Sequence, residues 1–163
     1  MATRSTIAFH NSNTNRVEQI YCHFDGYFEG VGQTLQENYN DSEAAASIVV
    51  NGDMSYLSET VDSTMFYHRD RGDKWMYVRP EVFDNMSHYI NSAHMEEYNY
   101  LFTDNKWNIV INGTIIPLNM VQENNDFCEN TYYTIDVWKK EVLDNKTRLG
   151  YQEWVDANTI NMD

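Results

Sequence analysis

The sequence predicts an α+β fold, a single antiparallel β-sheet of about five or six strands packed on one face by helices. Three observations predict it. Strand-like segments Tyr98 to Thr103, Trp107 to Ile111 and Thr114 to Leu118 follow in series, and Asn112-Gly113, a dipeptide favoured in two-residue type I′ hairpins, joins the last two. Val31, Leu35 and Tyr39 recur every four residues, which puts them along one helix face. No internal repeat or linker divides the 163 residues, so residues 1–163 read as a single domain.

From the start of the chain, Thr3 to His10 alternates as a strand with Ile7 and Phe9 on one face. The turn-forming run Asn11-Ser12-Asn13-Thr14-Asn15 leads into a second strand, Arg16 to Phe24, and the two predict a hairpin. In that second strand Ile20, Cys22 and Phe24 share one face, and Tyr21, His23 and Asp25 the other. Gly26 and Gly30 bracket a bend ahead of the Val31–Tyr39 helix. Asp41 or Ser42 caps a second helix through Ala44, Ala45, Ala46 and Val49, which Asn51-Gly52 ends.

Asp53 to Ser63 reads as a polar loop, Thr64 to His68 as a strand, Arg69 to Lys74 as a charged turn and Trp75 to Val78 as another strand. Pro80 suits the first turn of a helix whose buried side is Phe83, Met86 and Ile90. Pro117 places the last strand at an edge or ends its pairing. Asn124 to Asn130 then reads as a polar connection. Thr134 to Leu149 reads as a helix striped by Ile135, Trp138 and Val142 and stopped by Gly150, with a short last turn over Tyr151 to Val155.

Composition excludes several classes. Hydrophobic residues make up 42% and aromatics 14%, with 12 Tyr and 4 Trp, which argues for a packed core rather than disorder. No apolar run reaches the roughly 18 residues of a membrane span, and no apolar signal core follows Met1. The protein is therefore expected to stay where it is made, with Cys22 and Cys128 as reduced thiols. The net charge of −14, from 25 acidic and 11 basic residues, disfavours direct nucleic-acid binding, which needs clustered Lys and Arg. Scattered acids serve solubility, or form a surface that meets a basic partner.

Two stretches carry a family resemblance. Thr3-Arg4-Ser5-Thr6-Ile7-Ala8 is followed by Tyr21-Cys22-His23-Phe24-Asp25-Gly26-Tyr27 and then Gly30. This resembles small bacteriophage and prophage proteins that pair a TRSTIA-like opening with a YCHWDGY-like segment. Their later YxRDRG-like turn and acidic-tyrosine stretch have counterparts in Tyr67-His68-Arg69-Asp70-Arg71-Gly72 and Glu96-Glu97-Tyr98-Asn99-Tyr100. Phe24 stands where the pattern has Trp. The resemblance covers about the first two thirds of the chain, and residues from about 121 to 163 read as a family-divergent addition. It implies viral origin and shared architecture, but no reaction; together with the lack of a signal core, the expected place is the host cytoplasm.

Two clusters are candidate sites. Tyr21, His23 and Asp25 project from one strand face with Tyr27 just beyond; a His beside a carboxylate can act as a general base or half a metal site, or simply hydrogen-bond at the corner. Arg69, Asp70 and Arg71, with Asp73, concentrate two guanidinium forks that bind carboxylate or phosphate, or else pair locally. His10, His23, His68, His88 and His94 form no HxxxH or HExxH spacing, so no metal or other cofactor is expected, although a site gathered from distant segments stays open. No GxSxG elbow, GxGxxG or Walker pattern occurs. The tyrosine stripe Glu96 to Tyr100 with Trp107 reads as core rather than contact surface.

The expectation is a small acidic phage protein that engages a host factor, as an inhibitor of defence or in host takeover, without catalysis. The alternative is a nucleotide-binding protein or phosphoesterase whose His/Asp/Arg pocket takes a small anionic ligand.

Overall fold

The structure is a computed structural model that describes residues 2–119. Its strands are β1 (Ser5–His10), β2 (Val17–Cys22), β3 (Met54–Tyr56), β4 (Met65–Phe66), β5 (Glu81–Phe83), β6 (Tyr98–Thr103), β7 (Lys106–Ile111) and β8 (Thr114–Pro117). Between them lie α1 (Gln33–Asn38), entered through a π-helical turn at Phe28–Gly32, then α2 (Ser42–Val49), α3 (Tyr67–Arg71), α4 (Trp75–Val78) and α5 (Met86–Ser92). The chain divides into two units, residues 1–109 and 110–163.

In the first unit β1 and β2 form the expected antiparallel hairpin, with Ile7 opposite Ile20. The sheet is mixed and the described residues form eight strands, which corrects the expectation of an antiparallel sheet of about five or six. β6 runs parallel to β1, Ile7 beside Tyr100, and β3 runs parallel to β2 at Cys22–Met54. Parallel neighbours need a crossover of a dozen or more residues. Residues 23–53, which include α1 and α2, supply one, and residues 11–97 the other. The strand order is β4-β3-β2-β1-β6-β7, and β5 also pairs with β2, antiparallel at Val17–Gln19.

The two faces differ in chemistry. Register puts Ile7, Phe9, Ile20, Cys22, Tyr100, Phe102, Trp107 and Ile109 on one face, and all are buried. The π-helical turn and α1 cover it: Tyr100 Oη donates to Gly26 O (2.7 Å), and Trp107 Nε1 donates to Tyr39 O (2.7 Å). Both aromatic residues thus bury their rings while their polar ends find main-chain acceptors. Val31, Leu35 and Tyr39 are all buried, as their spacing predicts. The opposite face is a polar stripe of Thr6, Gln19, Tyr21, Asn99, Thr103 and Asn108 around Ala8 and Leu101. Thr6 Oγ1 donates to Asn99 Oδ1 (2.8 Å), and Asn108 Nδ2 reaches the carbonyls of Leu101, Thr103 and Lys106.

Local signals explain most boundaries. Asp41 caps α2 by accepting from Ala44 N (2.8 Å), and Asn85 caps α5 through His88 N (2.8 Å). Asp104 and Asn105 both take positive φ in a two-residue turn joining β6 to β7, where Thr103 pairs with Lys106.

Four expectations on the elements are corrected. The expected loop 53–63 contains β3, a three-residue strand too short to leave a periodic trace. The strand expected over Thr64–His68 shortens to Met65–Phe66 and passes into α3, which Gly72 ends at φ 77°. Trp75 to Val78 is helical, not a strand, and only Val78 of the four is buried. Pro80 leads into β5 rather than a helix; α5 starts at Met86, and its fully buried residue is Tyr89.

The second unit is described from Val110 to Asn119. Asn112 (φ 53°) and Gly113 (φ 82°) form the expected hairpin turn between β7 and β8. The segments read at Asn124–Asn130, Thr134–Leu149 and Tyr151–Val155, together with Cys128, lie outside the described residues.

Candidate functional site

The outer edge of β2 is shared. β5 pairs with it at Val17–Gln19 and β3 at Cys22, which leaves a gap opposite Ile20 and Tyr21. An N–H in such a gap lacks a ladder acceptor. Here the side chain of Asp53, just before β3, replaces the missing strand: Asp53 Oδ1 accepts from Tyr21 N at 2.9 Å. The gap opens on the polar face as a cavity of about 220 Å³, lined by Thr6, Gln19, Tyr21, Asp53, Glu81 and His94, with Tyr77 and Arg79 also at its wall. Gln19 and Glu81 are direct partners in the β2–β5 ladder, so both side chains lie on this face.

Burial sets the electrostatics of the cavity. Desolvation pushes the Asp53 carboxyl up to about 6, with neighbouring Glu81 adding in the same direction. Tyr21 and Tyr67 are also shifted up, chiefly by desolvation. Gln19 is 5% exposed; its Nε2 donates to His94 O at 2.8 Å, while its Oε1 has no partner.

The residues singled out in the sequence fall in two places. Tyr21 Oη and His23 Nδ1 are 2.7 Å apart, and the His23 ring meets Phe24 edge-on at 4.5 Å between centroids. Asp25 takes φ 57°, and its carbonyl accepts from Val31 N (2.8 Å), so it turns the chain into the π-helical turn, with Tyr27 exposed beside it. Phe24 is exposed rather than facing the core with Ile20 and Cys22, because β2 ends at Cys22. The Cys22 thiol is fully buried and pushed up to about 12, a small apolar group in effect.

Arg69 is spent on its own chain. Its guanidinium holds both carboxylate oxygens of Asp70 (3.1 Å each) and the carbonyls of Val61, Asp62 and Thr64. Asp70 in turn accepts from Phe66 N (2.8 Å); the Arg69 contacts and this bond hold its carboxyl below its ordinary range. Arg71 forks onto Asp73 (3.0 and 3.3 Å) and lies over the Tyr67 ring at 4.2 Å. Among the described residues, no hydrogen bond or ion pair joins His23 or Asp25 to Arg69 or Arg71. No three His, Cys, Asp or Glu side chains gather there to hold a metal ion.

α4 presents a second surface. Trp75 is 40%, Met76 64% and Tyr77 75% exposed, and the Trp75 ring meets His68 at 5.2 Å. Residue type points to strands here, because exposure, which sets a contact surface apart, is not written in four residues of sequence. The cavity likewise escapes sequence reading: Gln19, Asp53 and Glu81 meet only through the split edge of β2. Among the described residues no helix is long and apolar enough to cross a membrane. No protein-family model matches the chain, and neither a curated protein nor a solved structure matches it.

Proposed function

We propose that this is a non-catalytic binding protein of bacteriophage origin that engages a host protein stoichiometrically through α4 and its surroundings. The observation that supports this reading is the exposed run Trp75-Met76-Tyr77. Trp, Tyr and Met are enriched at contact surfaces, where large rigid side chains bury much area at small entropic cost. Of the four residues of α4 only Val78 is buried, and Met76 and Tyr77 stand mostly in water. The net charge of −14 adds a long-range field that steers a basic partner and resists an acidic one.

The phosphoesterase alternative draws less support. It needs free guanidinium forks beside His23 and Asp25, and those of Arg69 and Arg71 already hold carboxylates and carbonyls of their own chain. The phage origin rests on the sequence resemblance, and a host-directed role follows from it.

The experiment is affinity capture from host lysate with wild-type protein and the Trp75→Ala/Tyr77→Ala variant in parallel. This reading expects a stoichiometric protein that the variant loses, with both proteins equally folded by circular dichroism. Equal capture by both would remove α4 from the contact.

A further inference from the structure

We infer that the cavity beside β2 is a binding site for a small organic cation bearing N–H donors, an ammonium or guanidinium group, held by Gln19 Oε1 and the carboxylates of Asp53 and Glu81. This goes beyond the partner surface, which touches the cavity at Tyr77 alone.

The valences left over in the cavity decide the ligand's chemistry. The Thr6 hydroxyl donates to Asn99, the Tyr21 hydroxyl is engaged with His23, and the His94 ring holds Glu96. Asp53 Oδ1 takes the Tyr21 N–H, which leaves Oδ2. Gln19 cannot be turned end for end, because His94 O is an acceptor and needs the amide nitrogen. Its Oε1 is therefore a buried acceptor without a donor, a state that costs about 1–3 kcal/mol and that few native groups keep without a reason. Apart from the guanidinium of Arg79, which is exposed, what remains unmatched among the lining groups is acceptor capacity, so the matching ligand brings donors.

Charge points the same way. Glu81 is close enough to disfavour the ionisation of Asp53, and among the described residues Arg79 forms no ion pair with either. A cation relieves that repulsion, whereas an anion adds to it. The exposed Tyr77 ring supplies a face on which ammonium or guanidinium can rest. At about 220 Å³ the cavity falls below the ~300–1,000 Å³ of drug-sized clefts, which sizes it for one side-chain-like group rather than a nucleotide.

The test is NMR titration of ¹⁵N-labelled full-length protein with butylguanidinium, n-butylammonium, tetramethylammonium and butyrate. Saturable shifts of the Gln19 side-chain amide with the first two are expected, with at least tenfold weaker binding of tetramethylammonium, which has no N–H. Asp53→Asn and Gln19→Leu should each weaken butylguanidinium tenfold or more. Should Gln19→Leu fail to fold, Glu81→Gln on the exposed edge is expected to weaken it about threefold. Butyrate moving the same resonances, tetramethylammonium binding equally well, or no saturable shift would each overturn the inference. Two sources fit the chemistry. Nα-acetyl-arginine methylamide binding as well as butylguanidinium assigns the group to a side chain of a polypeptide; tenfold weaker binding assigns it to a free small molecule.

Discussion

Gln19 Nε2 donates to the carbonyl oxygen of His94 across 2.8 Å, and that single bond decides which end of the amide is left without a partner. It also ties β2 to the connection between α5 and β6, 75 residues away in the chain. Gln19→Glu replaces the donor with an oxygen facing that carbonyl and should cost about 1–3 kcal/mol. Gln19→Met loses one bond but removes the orphan acceptor as well, so its cost should stay below about 1 kcal/mol. Urea unfolding midpoints of the two variants check the order.

Asp53 makes stability depend on pH with a definite sign. Its folded value of about 6 lies above its ordinary 3.8, so between these values the folded chain holds more protons than the unfolded one. Stability therefore falls as pH rises through that window. Above it the full cost is present, roughly 1–2 kcal/mol once partial solvent access is discounted. The groups around it are Glu81, Tyr21 and Tyr67, with Arg79 and His94 also lining the cavity. Asp53→Asn keeps the acceptor for Tyr21 N and should abolish this component, read as the wild-type-minus-variant difference in urea midpoint between pH 4 and 7.5.

Gly26 is packed where no side chain fits. A Cβ there would stand 2.7 Å from Ser5 Cβ and 2.8 Å from Thr3 O, and neither is the end of a flexible chain. The same residue donates to Thr3 O and accepts from Tyr100 Oη. Gly26→Ala should cost about 1–3 kcal/mol, as overpacking does. Tyr100→Phe should cost about 1–2 kcal/mol for the lost buried bond. Thermal unfolding measures both.

Arg69 acts as a clamp on the loop before β4. Arg69→Ala should speed proteolysis within residues 58–64 several-fold while leaving the fold intact. Arg69→Lys should rescue little, because a single ammonium cannot replace a planar fork that reaches Asp70 and three carbonyls at once. Limited proteolysis with mapped cleavage sites distinguishes the two.

What was legible in the sequence was what local physics writes there. The four-residue spacing of Val31, Leu35 and Tyr39, the Asp41 cap and the Asn112-Gly113 turn each need only neighbours in the chain, and each is found. The mixed sheet was not legible, because whether β6 joins β1 or β7 alone depends on what residues 11–97 do in space. β3 and β5 are three residues each, shorter than any reliable period.

The candidate sites divide in the same way. Tyr21 in β2 and His23 just past its end are two apart in the chain and do meet, at 2.7 Å. Arg69 and Arg71 read in sequence as anion forks or as local pairs, and the carbonyls of the preceding loop, which capture Arg69, carry no side-chain signature. Gln19 has no motif at all. Its distinction is a missing partner, a property of the packed chain alone.

The most direct measurement is native mass spectrometry of the full-length protein recovered from host lysate. The account predicts a one-to-one complex with a host protein that the Trp75→Ala/Tyr77→Ala variant does not form, since the contact rests on those exposed side chains. A bound mass of nucleotide size with no protein attached would contradict it.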